Sequence, residues 1–441
     1  MLSRVMRKLP RLSRRRLKLL PLSGSGECES RPQQNGKSAV SRSVDLFKFA
    51  LLFAALYAAF GVASPFLPEF LLLHGVGPER LGLALSLATT IRLISAPLAG
   101  RIADRLHALR IVLAICAAMA GAAALVFLPA FGFPVLLLVA LLHAAMLAPT
   151  SVLADALALS AATTSSNTRS RFEYGWVRGL GSLAFILGSL AAGQSIQAFG
   201  IDSIVIGQAI LLLTAAGAAF WVPEISLPRS AERPVGQAAH VGLLDLLRSP
   251  SFRWLIVVAS LILGSHAMHD AFAMIAWNAA GVSPVAGGVL WSESVAAEVI
   301  VFVTVGPFLL RRLTPEIAMV VAAAASLVRW GLLAESSNII VIAAAEPLHG
   351  LTFALLHLSC MRVLAAIVPR ELAGLAQAIY GTVGVGLTSA AFTLISGSLY
   401  AEFGNQGFWA MFLMALAALP AIWRLYRARR SAITCAADQI I

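Results

Sequence analysis

The sequence predicts an all-α membrane protein, with twelve transmembrane helices in two pseudo-symmetric six-helix bundles. Three observations lead there. First, 59% of the 441 residues are hydrophobic and only 12% are charged, with a mean hydropathy of +0.85, which is far from the balance of a soluble domain. Second, nearly everything from Asp45 to Tyr426 divides into apolar segments joined by short polar stretches, each near or above the roughly 20 residues a helix needs to cross hydrocarbon. Third, one longer polar stretch sits in the middle, with six segments on each side. Only helices and closed barrels satisfy their backbone groups in lipid, and these runs are too long for barrel strands.

The segments run, in order, over 46–73, 78–100, 109–129, 134–160, 173–199, 203–223, 251–279, 285–310, 315–334, 338–366, 371–400 and 405–426. Pro65, Pro68, Pro97, Pro149 and Pro347 fall inside them and predict kinks, because proline removes one helical hydrogen bond. Gly179, Gly181, Gly188 and Gly193 in the fifth segment, and Gly381, Gly384 and Gly386 in the eleventh, permit close helix approach. The predicted organisation is a basic tail over 1–44, a first bundle over 45–223, a cytoplasmic linker over 224–250, a second bundle over 251–426 and a short tail over 427–441.

A net charge of +12 raises the question of nucleic acid. The distribution excludes it, because the charge is sorted by topology. Residues 1–48 carry twelve Lys and Arg, and alternate joints add Arg101, Arg105, Arg110, Arg169, Arg171, Arg229, Arg233, Arg248, Arg253, Arg311, Arg312, Arg362, Arg370, Arg424, Arg427, Arg429 and Arg430. The opposite joints carry only Arg80. This asymmetry is the positive-inside rule; it places both termini in the cytoplasm and requires an even number of spans. Three readings fit residues 1–44: a basic tail at anionic lipid, an over-extended start, or a transit peptide. They lack the apolar core and cleavage site of a secretory signal. The four cysteines, Cys28, Cys116, Cys360 and Cys435, show no pairing or metal spacing, and no metal or cofactor is expected.

Against this background the ionisable residues inside the apolar segments stand out: Arg92, Asp155, Arg178, His266, Asp270, Glu293, Glu298, Arg329, Glu346, His349 and His357. A charge at mid-bilayer costs about 2.5–3.5 kcal/mol on insertion scales, and the usual reason for a cluster is an ion or solute path. In the tenth segment Glu346, His349, Phe353 and His357 are spaced 3, 4 and 4 residues apart, which puts them on one helical face. In the seventh, His266, Asp270 and Trp277 share a stripe; in the eighth, Trp291, Ser294 and Glu298 do, with Glu293 pointing elsewhere. Five acids face three arginines. Arginine stays protonated, so at most three carboxylates are neutralised by pairing. The remaining two are candidates to take up a proton, neutral when dry and ionised when wet. Asp155 is expected to pair with one of the arginines. The guanidinium fork fits a solute carboxylate, with Arg329 and Arg178 ranked above Arg92, and Trp277 and Trp291 are candidates to sandwich an aromatic or apolar part of it.

The joint Gly100-Arg101-Ile102-Ala103-Asp104-Arg105 has a counterpart in the second half, where Gly306 again stands five residues before Arg311 and Leu310 replaces the acid. A shared signal at matching places in two halves marks a duplicated architecture. The chain thus resembles a major facilitator superfamily transporter, and the resemblance implies that Gly100, Asp104 and Arg105 form a cytoplasmic gate. Further strings narrow it: Pro65-Phe66, Gly75-Val76-Gly77-Pro78-Glu79, Asp155-Ala156, Tyr174 through Ser182, Gly264-Ser265-His266, Ala276-Trp277, Leu290-Trp291, Ala297-Glu298-Val299, Val328-Arg329-Trp330, Leu348-His349-Gly350, Thr352-Phe353, His357 and Ala376-Gln377 to Tyr380. In order and spacing they resemble the phenylpropionate-permease-like branch, related to lactose permease and nucleoside–proton symporters. Two departures add ionisable groups: Glu346 where relatives tend to carry Gln, and Met268-His269-Asp270 where they often carry tyrosines.

The resemblance implies a multi-pass, monomeric permease of a bacterial inner membrane, not an enzyme, whose partners are protons, lipid and a small solute. That solute is an aromatic carboxylate or similar organic acid, or else a nucleoside or sugar; an efflux antiporter on the same scaffold is the other reading. Glu298, Glu346, His349, His357 and Asp155 are the expected proton-coupling groups. Arg329, Arg178, Trp277, Trp291, His266, Asp270 and Phe353 are the expected solute contacts.

Overall fold

The computed structural model describes residues 35–163, 173–223 and 242–438. Arg169, Arg171, Arg229, Arg233, most of the 224–250 stretch and the first 34 residues lie outside the described residues. Twelve long helices follow one another: α1 (Asn35–Ala63), α2 (Pro78–Leu106), α3 (Leu109–Val126), α4 (Phe133–Thr163), α5 (Tyr174–Phe199) and α6 (Ser203–Trp221); then α7 (Pro250–Ala279), α8 (Pro284–Arg312), α9 (Pro315–Glu335), α10 (Ile339–Ile367), α11 (residues 370–403) and α12 (Phe408–Asp438). No strand occurs among the described residues. The last two lie in one apolar stretch, divided by the short turn Gly404–Gly407.

Helix starts are written in the sequence. Proline opens α2, α7, α8 and α9, where its missing N–H has no helical partner to lose. Side-chain oxygens of Ser249, Ser283, Thr314 and Asn338 accept the backbone N–H of Phe252, Ala286, Ile317 and Ile340, capping orphan donors at the heads of α7 to α10.

The predicted kinks divide into two kinds. Pro97 and Pro149 sit inside continuous helices. At Ser64–Phe66 the first span breaks outright, and a separate short helix, Leu67–Leu73, follows with Pro68 in its first turn. The seventh span breaks at Ser265–His266. Pro347 lies in a tight 3₁₀ turn, Glu346–Leu348, followed by a wide π turn, Gly350–Leu355; α8 and α11 carry π turns at Val301–Val305 and Tyr380–Leu387. Such irregular backbone at membrane depth is tolerated where protein or a water-filled hollow covers it. The helices also outrun the apolar segments, α1 starting at Asn35 and α12 ending at Asp438, since a helix keeps satisfying its own backbone after its side chains have reached water.

Packing differs between the two ends of the structure. At the end bearing the helix-linking turns after α1, α3 and α7, one apolar cluster joins both halves: Phe66, Phe70 and Phe127 of the first with Phe272, Trp330 and Phe408 of the second. At the arginine-rich end the apolar residues form separate clusters, one confined to the first half around Phe49, Phe53 and Leu113, another to the second around Phe252, Leu255 and Leu425. Gly82 of α2 lies against Gly397 of α11 so closely that a Cβ on Gly82 would come within 2.8 Å of the Gly397 Cα. The halves are therefore fused at one end and apart at the other.

Gly82→Val should wedge α2 from α11 and lower stability by about 1–3 kcal/mol, the usual cost of overpacking. Gly217→Ala, in α6 where a new Cβ meets nothing within 4 Å, should leave the melting temperature in detergent unchanged or slightly raised.

Candidate functional site

Between the halves lies a cavity of about 500 Å³, within the range of small-molecule sites. Its wall in the second half is built from α7, α8, α10 and α11, the first three of which carry ionisable groups on the face turned inward. His266, His269 and Asp270 come from just after the break in α7, Trp291, Ser294 and Glu298 from α8, and His349 and Phe353 from α10. The 3₁₀ turn at Glu346–Leu348 and the π turn after it leave His349, Phe353 and His357 stacked, with ring planes 10° apart and centroids 5.5 and 6.5 Å apart. The sequence spacing of 4 and 4 residues thus still yields one stripe.

Behind this wall, Glu346 and Arg329 form a fully buried ion pair, Arg329 Nη2 donating to Glu346 Oε2 at 2.8 Å. Two more groups complete the carboxylate's shell: the Ser294 hydroxyl donates to Oε2, and His269 Nε2 lies 3.1 Å from Oε1. Arg329 also donates from Nη1 to His349 Nδ1 at 2.9 Å. Guanidinium cannot accept, so Nδ1 of His349 is the acceptor and the ring proton sits on Nε2, which faces Glu298 Oε2 at 3.4 Å. On the other flank His269 Nδ1 lies 3.5 Å from Asp270 Oδ1. One contiguous set of ionisable groups therefore leads from Asp270 through His269, Glu346, Arg329 and His349 to Glu298, with both terminal acids on the cavity wall.

His269, visible in the sequence only as part of the Met268-His269-Asp270 departure and not among the expected site residues, is the central residue of this set; it stands three residues after His266, on the same face. His266 itself is satisfied: Nδ1–H donates to the Ile262 carbonyl at 3.0 Å, which leaves Nε2 to accept from the Thr352 hydroxyl at 2.9 Å.

Several expected contacts stand away from the cavity. Arg329 is wholly buried behind it. Trp277 is also buried, packing edge-on against His269 at 5.8 Å, whereas Trp291 stacks on the same ring at 5.2 Å and lines the cavity. The two tryptophans therefore bracket a histidine rather than an open slot. Arg178 lies over the Tyr57 ring at 4.6 Å. Asp155 takes a hydrogen bond from the Tyr174 hydroxyl at 2.9 Å, and no ion pair to an arginine forms among the described residues. Both sit with Tyr57 and Tyr174 outside the cavity lining, although the Arg178 charge still reaches Glu298. His357 bonds the Tyr380 hydroxyl at 3.1 Å, outside the cavity lining, and Glu293 lies outside it as well. Asp104 and Arg105 are exposed, and a Cβ added to Gly100 would meet nothing within 4 Å.

Removing one partner of a buried pair leaves the other charge stranded, at about 3–5 kcal/mol. Arg329→Met and Glu346→Gln should each lower stability by that order. The double variant should lose clearly less than the sum, as a thermal double-mutant cycle in detergent would record.

Comparison with known proteins gives this geometry a family. Residues 46–411 match the MFS_1-like family. The chain is 32% identical over 387 residues to the "Probable 3-phenylpropionic acid transporter" of Escherichia coli K12, covering 84% of this chain and 95% of that one. It is 25% identical over 364 residues to the maltose permease of Geobacillus stearothermophilus, covering 82% and 89%. Among solved structures it superimposes on the D323A mutant of the nucleoside transporter NupG with a TM-score of 0.75 at 16% identity, covering 87% and 99%. The human organic anion transporter MFSD10 follows at 0.58 and 17%, covering 86% and 99%. The chain belongs to the MFS_1-like family of major facilitator transporters: it is a multi-pass secondary transporter, not an enzyme.

Proposed function

We propose that the chain couples protons to the uptake of a small aromatic carboxylate across a bacterial inner membrane, as a monomer with both termini in the cytoplasm. The observation that carries this reading is the unbroken set of ionisable groups between Asp270 and Glu298. Its two ends touch the cavity, and its middle, Glu346 and Arg329, is dry. A proton arriving at either wall acid changes the charge facing the solute, while the buried pair holds α9 and α10 in register beneath.

The sorting of arginines supports the sidedness. With that end in the cytoplasm, the cavity is open inward and sealed outward, and the unengaged Asp104 and Arg105 are a cytoplasmic latch in its released position. Rocking of the 45–223 bundle against the 251–426 bundle, joined by the 224–250 linker, then exchanges access. The similarity to a protein named for 3-phenylpropionic acid supports the substrate class, and Trp291 and Phe353 on the cavity wall give an aromatic ring surfaces to lie against.

Proteoliposomes containing the full chain should accumulate 3-phenylpropionate when the outside is made acidic. Glu298→Gln should abolish that accumulation while solute exchange across the same membrane persists. Solute driven outward by an inward proton gradient would instead establish the efflux antiporter. Gradient-driven accumulation of nucleosides or sugars and not of 3-phenylpropionate would reassign the substrate.

A further inference from the structure

The opposite wall of the same cavity, contributed by the first half, holds a polar cluster that lies outside the set of ionisable groups from Asp270 to Glu298. Arg92 of α2, His143 of α4 and Gln208 of α6 all line it, with Thr89 one turn before Arg92. His143 and Gln208 are each 1% exposed. Their His143 Nε2 and Gln208 Oε1 atoms are buried without a hydrogen-bond partner, in a chain whose other buried ring nitrogens on the facing wall are bonded. Arg92 is the charged neighbour of His143, and the Gln208 amide lies beside the ring as a hydrogen-bonding side chain without forming a well-aligned bond to it. Arg92 is exposed to the cavity and makes no ion pair or hydrogen bond among the described residues.

Buried polar groups in a folded protein are normally satisfied. Three converging groups, two of them with a buried atom that makes no well-formed hydrogen bond, mark a place where a ligand supplies the partners. We propose that Arg92, His143 and Gln208 form the seat of the solute's carboxylate, an inference that rests on the symport reading above. The guanidinium supplies the charge and a bidentate fork. His143 donates from Nε2–H, and the Gln208 amide, turned by half a rotation, offers its NH₂.

Charge on the facing wall decides which way the solute lies. Arg329 is already neutralised by Glu346 and is wholly buried, so it has no charge to offer the cavity. Asp270 and Glu298 project from that wall and repel an anion. A monocarboxylate therefore sits with its head on the first half and its apolar body toward Trp291 and Phe353 on the second. Loading the cavity ties the two halves through one molecule, with the anion on one side and the proton acceptors on the other.

The test is binding of 3-phenylpropionate and benzoate, and of their neutral amides, to the purified full chain in detergent. Wild type should bind each acid more tightly than its amide. Arg92→Gln should raise Kd for the acids by about ten- to a hundredfold, as expected for losing a charged hydrogen bond, and leave the amides nearly unchanged. Gln208→Glu, which adds a negative charge at the seat, should do the same, and Arg92→Lys should fall between. Unliganded melting temperature reports folding; if Arg92→Gln does not fold, Gln208→Glu and Arg92→Lys decide. The proposal fails if a folded Arg92→Gln binds the acids as wild type does. It also fails if acids and amides weaken equally, or if wild type binds neither acid. Proteoliposome uptake separates the two readings: Arg92-dependent acid binding without proton-driven uptake sinks the symporter and leaves the seat. Proton-driven uptake untouched by Arg92→Gln sinks the seat and leaves the symporter.

Discussion

The buried pair of Arg329 and Glu346 is the constraint on which the second half is organised. Neither charge has any exposure, and a carboxylate taken out of water is tolerated only when its lone pairs are filled. Glu346 achieves this with one guanidinium, one hydroxyl and one imidazole drawn from α9, α8 and α7. Three helices are thereby fixed to a single side chain of a fourth, α10. The same demand sets the orientation of His349, because Arg329 fixes one of its nitrogens as acceptor and directs the other toward Glu298. The backbone bends to meet it: the 3₁₀ turn begins at Glu346 itself, and the π turn follows four residues later.

The two halves divide the work by chemistry. The second half holds an electrically balanced core with acids at its edges. The first half places on the cavity an arginine that pairs with no acid among the described residues, together with imidazole and amide atoms that make no well-formed hydrogen bond there. Close glycine contacts such as Gly82 with Gly397 and the shared aromatic cluster weld the halves at one end only. An apolar cluster shared by both halves at one end, with separate clusters at the other, is the packing expected of a cavity that opens to one side in any one state.

Much of the fold was legible because lipid leaves few options. Apolar length alone located the helices, and prolines and small polar residues marked their starts at Ser249-Pro250, Ser283-Pro284 and Thr314-Pro315. Five of the ionisable cavity residues, Arg92, His266, Asp270, Glu298 and His349, were visible as charges or imidazoles where almost none are admitted. Helix facing was not legible. A helix buried on several sides carries little amphipathic signal, so Trp277 and Trp291 read alike although only the latter reaches the cavity. Arg329 was ranked above Arg92, but which arginine faces the cavity turns on neighbours that only the packing supplies: Arg329 pairs with Glu346, and among the described residues Arg92 pairs with no acid. His269 stood in view only as part of the Met268-His269-Asp270 departure, because nothing in a buried helix shows which face it takes, and the break at Ser64–Phe66 was hidden by a proline pair equally consistent with a kink.

The account depends most on a hollow at mid-membrane that water enters from the cytoplasmic side. Ser389 of α11 lines it. In a chain with Cys28, Cys116, Cys360 and Cys435 replaced, a Ser389→Cys variant should react rapidly with a membrane-impermeant thiol reagent in inside-out vesicles and slowly in right-side-out ones, with 3-phenylpropionate slowing the reaction. A cysteine there that reacts from neither face would mean that the chamber is closed to water, and the account would be wrong.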